Sequence, residues 1–377
     1  MKKMFFCLLG AAALLAACSS KPAAVDLTGL TSYYVRADGN DKNPGTSEAA
    51  PFKTLARAVE AAAKTSVKKI TVIGTLVENV VINETDSMDN RPQKIIDATG
   101  GQDIAKALTG LGLATITWSL DEHDPDEILI TGKPGASGPE RAVLTPADQN
   151  DVTLGLTYSN LRLEHIEISG VNTTKNLPAV VVAGTLTLAK GAKITNNTNG
   201  GGIYAIGGVV IMRDDAEVSH NQGNDNVGVY LELGSVMVMF DTSHITGNKA
   251  VAGNGGGLAL SGSSLIMRDN SSITANSAGN AGGGIITFTD TKNGYLSQIT
   301  LYDEAAISGN SAKLGGGIFL QDKMVMEGNA TITGNTATQE GGGVFGVTDN
   351  MKISIQKLDA IQGNTAPEFP DHNFDFE

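Results

Sequence analysis

The chain repeats itself, and the repeat decides most of what it can become. Registered on one asparagine, seven copies align at Asn197, Asn221, Asn248, Asn276, Asn310, Asn335 and Asn364, separated by 24, 27, 28, 34, 25 and 29 residues. A period of that size marks a solenoid, in which each repeat buries its apolar face only against the next one. Three positions before each Asn stands an aliphatic: Ile194, Val218, Ile245, Ile273, Ile307, Ile332 and Ile361. Nine before it stands Leu188, Met212, Met239, Met267, Leu301, Met326 or Ile355, and eleven before it Leu186, Val210, Met237, Leu265, Ile299, Met324 or Ile353. The apolar pairs are two residues apart, so they predict short strands with one buried face and mostly polar residues between.

Between one Asn and the next strand lie glycine runs, at 200–202, 255–257, 282–284, 315–317 and 341–343; the second repeat keeps only Gly228. Glycine permits positive φ and close backbone approach, which a chain needs where it turns from one sheet to another. The reading is a coil of two or three short strands, each pairing with its copy one coil along, with equivalent side chains stacked about 4.8 Å apart. Asn tolerates turn conformations, and its amide can bond neighbouring backbone or the next Asn, forming a ladder. Forty-six glycines and 5% aromatic residues suit such a structure better than an ordinary globule.

The N-terminus points to export. Lys2 and Lys3 precede an apolar run from Met4 to Ala17 that is too short to span a bilayer and has the shape of a signal-peptide core. The run ends in Leu15-Ala16-Ala17-Cys18, which resembles the bacterial lipobox; the resemblance implies cleavage before Cys18 and lipidation of its sulfur, and Ser19 implies sorting to the outer membrane. Cys7 is the only other cysteine, so the mature chain would have no disulfide. Losing residues 1–17 removes two lysines and no acid, which moves the net charge from -13 to -15. A chain that acidic repels nucleic acid and anionic lipid, so the membrane is reached through the lipid and nucleic acid is excluded as a partner.

Residues 18–32 read as a tether and 33–377 as the solenoid: a cap at 33–64, irregular early coils at 65–150 and regular coils at 151–366. In the cap, Tyr33–Val35 predicts a strand and Asp38–Ser47 a polar loop. Pro51 suits a first helical turn, and Phe52, Leu55, Ala56, Val59, Ala62 and Ala63 share one face of an amphipathic helix covering the apolar end. Strands are predicted at Ile70–Ile73, Val80–Ile82, Ile128–Ile130, Ala142–Leu144, Leu154–Thr157 and His165–Ile168. The stretch 84–150 fits the period poorly and reads as an early coil with a long insertion. That insertion includes a short helix around Asp103–Gly110, Trp118 and the acidic run Asp121–Glu127. At the far end Phe369, Phe374 and Phe376 would partly cover the last coil.

Two resemblances follow from these motifs. The opening YYVRADGNDKNPGTSEAAPFKTLARAVEAAA (Tyr33–Ala63) is similar to that of many bacterial pectate-lyase-like proteins, which implies an all-β, right-handed parallel β-helix with an N-terminal helical cap. Over roughly 180–366, the alternation of xxN with GGG-[ILV] resembles the GGA-[ILV] and FxxN repeats of chlamydial polymorphic outer-membrane proteins. Gly here takes the place of their Ala, and Ile or Val that of their Phe. That likeness implies an adhesin-type surface protein.

The strand after each glycine run supplies the candidate binding surface. Its first residue points inward, so its second points outward. These second residues are Tyr204, Tyr230, Ala259, Ile286, Phe319 and Phe345, a column suited to sugar rings or a protein partner where polar residues would be the default. A loop covering the column is the plainer alternative. A second column lies seven positions before the anchor, at Asp214, Asp241, Asp269 and Asp303. Stacked carboxylates repel by about 1 kcal/mol per adjacent pair in water. Hydrogen bonds from the backbone of each aspartate's own turn would offset this, and calcium shared between coils is the alternative.

Chemistry is harder to find. Asp214-Asp215 is the one carboxylate pair in the repeats, His220 follows in Ser-His-Asn, and Arg162, Arg213 and Arg268 belong to no recognisable lyase cluster. The donors Asp38 to Asn43 could bind calcium, and turn-forming Asx side chains explain them equally well. The expectation is a lipid-anchored binding module for glycans or surface proteins, with no cofactor and no catalytic residue assigned. A polysaccharide lyase or hydrolase, or a structural spacer, is the alternative.

Overall fold

A computed structural model describes residues 29–83, 127–135, 141–347 and 351–374. The lipobox with Cys18, the short helix around 103–110, Trp118, residues 121–126 of the acidic run and Phe376 lie outside the described residues.

The chain forms a parallel β-helix with three sheets around one core, of 18, 10 and 5 strands among the described residues. One turn shows the plan. Strands Ile203–Ile206 and Val209–Met212 belong to the large sheet, Glu217–Ser219 to the second and Gln222–Gly223 to the third. The chain then rises to Val229–Glu232, which pairs in parallel with Ile203–Ile206. The aliphatics three before the anchor stack without a slip from Ile194 through Val218, Ile245, Ile273, Ile307 and Ile332 to Ile361. The columns nine and eleven before it keep register from Leu188 to Ile355 and from Leu186 to Ile353. Together they fill one continuous core.

The expected polar alternation fails in one place. In Val209–Met212, Val236–Met239 and Ser264–Met267 the outward residues are buried as well, Val209, Ile211, Val236, Val238 and Ile266 among them. A parallel strand covered on both faces reads as an unbroken apolar run, and these strands do.

The cap differs slightly from its expectation. The helix spans Leu55–Ala63, so Pro51 and Phe52 precede it, and Phe52 lies extended beside Val35. Its start is fixed by hydrogen-bond acceptors. Thr54 Oγ1 accepts from the Arg57 amide, and the Glu78 carboxylate takes the Leu55 and Ala56 amides at 2.7 and 3.1 Å. Asp41 takes the Lys53 and Thr54 amides, so the polar loop's oxygens serve the backbone. The predicted early strands appear as Lys69–Ile73, Val80–Asn83, Ile128–Lys133, Ala142–Thr145, Leu154–Glu164 and Ile166–Ile168, joined by an unanticipated Thr75–Val77. At the C-terminal end the Val344 amide bonds the Asp371 carbonyl, Phe374 packs on the core, and Phe369 stays exposed.

Candidate binding surface

The Asn corners make one device. From Asn221 on, each side-chain oxygen accepts from both the backbone amide and the Nδ2 of the Asn one coil earlier, at 2.9 and 3.1 Å between Asn276 and Asn310; Asn197 Oδ1 accepts the Val171 amide. Each Nδ2 also donates to a core strand carbonyl, as Asn310 does to Ile273 O at 2.9 Å. The chain of amides runs unbroken from Asn197 through Asn221, Asn248, Asn276, Asn310 and Asn335 to Asn364, where Asp371 Oδ1 closes it. All seven are buried and hydrogen-bonded.

The glycines fit around this ladder. A Cβ at Gly257 would lie 2.6 Å from Gly284 O and 2.9 Å from Asn276 Nδ2, so the third glycine of each run has no room for a side chain. The glycine runs take the positive φ expected of them, at Gly201, Gly255, Gly282, Gly315 and Gly341, and a second left-handed position adds to them. The residue just before each anchor takes positive φ, including His220 at 50° and Ala275 at 54°, and the anchor Asn does not.

Beyond the glycines, Tyr204, Tyr230, Ala259, Ile286, Phe319 and Phe345 form one in-register column on the outer face of the large sheet. The column is not uniformly open. Ala259 and Ile286 are buried, packed with Ala281 and against Leu314 and Phe288. Ile286 is therefore withdrawn from the exposed surface: the third sheet and its corner close over the middle of the column. What remains partly exposed is a strip of Tyr204, Tyr230, Phe288, Phe319 and Phe345. Phe288 belongs to it because Ser261 and Phe288 are outward partners on the same face.

The two tyrosine rings stack with centroids 5.1 Å apart and planes 10° from parallel, and Phe319 and Phe345 sit 5.7 Å apart. The Tyr204 hydroxyl donates to Glu232 Oε2. Burial, then that carboxylate, pushes the Tyr204 phenol above its usual range. Tyr230 is raised by burial first and by the Glu232 charge next.

The aspartate column is stacked, but its bonds are not those expected. Asp241, Asp269 and Asp303 each accept from the backbone amide of the equivalent aspartate one coil earlier, at 2.8, 3.0 and 3.1 Å. The partner is thus the neighbouring turn and not the residue's own. Asp214, Asp241, Asp269 and Asp303 all hold φ between 52° and 56°, the left-handed region that a short Asx side chain tolerates and glycine, as at Gly328, takes freely. Arg268 Nε lies 3.4 Å from Asp303 Oδ2. Among the described residues no group of three or more His, Cys, Asp or Glu side chains is placed to hold a metal.

The residues weighed for catalysis do not converge. Asp215 Oδ1 accepts the Gly191 amide at 2.7 Å, Arg162 pairs with Glu164 at 2.7 Å, and the Arg213 and Arg268 guanidinium groups lie over Phe240 and Tyr302. A cluster that sequence reasoning missed lies on the outer face of the second sheet. Lys193, Glu217 and His244 stack in register, and Glu217 bonds Lys193 and Ser219 with His244 Nε2 at 3.6 Å. The His244 imidazole, then Lys193 and Ser219, hold the Glu217 carboxyl well below the carboxylate range, and Glu217 raises His244. Coil lengths of 24 and 27 residues are all that could have revealed it.

The architecture defines the class: a parallel β-helix carrying an interior Asn ladder and an outward aromatic strip. No protein-family model matches the sequence, and a comparison with curated proteins finds no match. Among solved structures, a rhamnogalacturonan lyase is similar at a TM-score of 0.34 and 11% identity, over 89% of this chain and 87% of that one. A likeness that faint carries nothing about this chain's activity.

Proposed function

We propose that the protein is a lipid-anchored binding module of the bacterial cell surface, held at Cys18 in the outer membrane and recognising glycan or protein ligands of adhesin type. One observation carries the reading: five aromatic rings from five coils lie partly exposed on one outward face, where a solvated face would be polar. Rigid coils below and the Asn ladder beside them hold the rings at fixed spacing, so little order is lost on binding. Asp215, Arg162, Arg213 and Arg268, the residues weighed for catalysis, each serve a separate local contact, which favours a binding module over a lyase or hydrolase. The test pairs a glycan array and a panel of surface and matrix proteins with a lyase assay on uronate polysaccharides. Capture of a ligand without turnover supports a binding module, and turnover refutes it.

A further inference from the structure

The aromatic strip is not electrically neutral. Glu232 stands two residues after Tyr230 on the same outward face, one coil from Ile206 and Ser261. The Glu232 carboxylate binds the Tyr204 hydroxyl, and the Tyr230 phenol is raised by burial first and then by the charges of Glu232, Asp225 and Asp290. Asp225 lies in the loop before the strand and takes the Asn254 amide at 2.5 Å. Asp290 lies in the insertion of the longest coil, where the Asn293 side chain and the Lys292 and Asn293 amides hold it. After the Asn293 side chain, the Lys292 ammonium is one of the groups that lower the Asp290 carboxyl. At the other end Phe319 and Phe345 pack ring to ring, with Leu314 in the same cluster as Phe319 and Glu340 in register with Leu314 one coil on.

We propose that the strip takes an extended segment of a partner protein, with a lysine or arginine at the Tyr204–Tyr230–Glu232 end and an apolar side chain at Phe319 and Phe345. This rests on the binding-module reading and narrows it to a cationic protein ligand. Charge complementarity argues for it. A guanidinium or ammonium over a tyrosine face is attracted by the ring, and neighbouring carboxylates add to that attraction. The same carboxylates, on a chain of net charge -13, repel sulfated and uronate glycans. The partly exposed path passes the covered Ala259 and Ile286 by way of Phe288, two residues further along the same outward face, and its spacing sets the peptide. Tyr230 and Phe319 are three coils apart, about 14 Å at about 4.8 Å per coil. About four residues of extended chain span that distance, so the cation and the apolar anchor should be four positions apart.

The experiment titrates the full chain in detergent with a fluorescein-labelled peptide carrying one arginine four residues from a phenylalanine, separated by serines, and with the same peptide bearing glutamate for arginine. The expected result is saturable binding of the first and at least about tenfold weaker binding of the second. Binding of the first should fall with salt, and by about tenfold in E232Q. D290N, at a partly exposed position, should weaken it less and guards against a folding defect in E232Q. Equal binding of both peptides, or none of either, overturns the proposal. If neutral oligosaccharides bind instead and Y230A removes them, the cationic ligand is wrong and the binding module stands. If no peptide, glycan or protein of the panel binds, both fall.

Discussion

Replacing Asn310 with leucine isolates the ladder. Asn310 is 1% exposed, and its side chain makes four hydrogen bonds. Two of the groups it serves keep another partner after the change: Asn276 Nδ2 still reaches Ile245 O, and Asn335 Oδ1 still accepts the residue 310 amide. The other two, Ile273 O and the Asn276 backbone amide, lose the Asn310 partner in a buried corner. Ile273 O keeps its backbone partner in the parallel ladder, so the stripped Asn276 amide sets the loss, at about 1–3 kcal/mol. Leucine's apolar gain is offset by crowding, because Gly284 packs directly on the Asn310 amide. Urea unfolding followed by far-UV circular dichroism reads the loss. The exposed control N329L should stay within about 0.5 kcal/mol of wild type. In a double-mutant cycle Asn276 and Asn310 should couple, whereas Asn310 and Asn197 should not. A loss below about 0.5 kcal/mol for N310L would refute the reading that the ladder holds the corners.

Four further outcomes are expected. Ala275 holds a left-handed φ of 54° that costs an L side chain about 1 kcal/mol, so A275G should raise the melting temperature; a fall would show that the strain estimate is wrong. His244 is raised by Glu217, so its contribution to stability is full below its unfolded pKa and fades as pH rises through its folded value. Glu217 is depressed, so its contribution is present above the ordinary carboxylate range and fades on acidification; H244A should therefore cost more at about pH 5.5 than at about pH 8.5, and an equal loss would contradict the pair. The aspartate column is satisfied by backbone amides, so chelation should leave the melting temperature unchanged; a calcium-dependent rise abolished in D241N/D269N would show a cation column instead. Palmitate labelling of the wild type should vanish in C18A, and labelling that persists would remove the lipid anchor.

The interior of the fold was legible because its signal is repeated: columns such as Ile194 to Ile361 recur at a fixed offset from the Asn, and stacking demands that they do. Features that depend on what a neighbouring coil contributes were not. The burial of Ile286 comes from Ala281 and Leu314, residues of a different sheet brought over it by the glycine corner. The aspartate bonds cross to the preceding turn, and nothing in one repeat says whether an acceptor serves its own backbone or its neighbour's. The left-handed residue before each anchor is Asn, His, Ala or Gly, so no residue type marks it. The helix start was misplaced because its acceptor, Glu78, lies 23 residues from Leu55.

The aromatic strip is the claim on which the function rests, and its most direct test is ligand capture by a variant that keeps the fold and loses the rings. Phe319 and Phe345 point away from the core, so F319S/F345S should unfold cooperatively like the wild type. Across the glycan array and protein panel, the wild type should capture at least one ligand that the double variant does not. Undiminished capture by a folded F319S/F345S would place binding elsewhere on the molecule and contradict the assignment of this face.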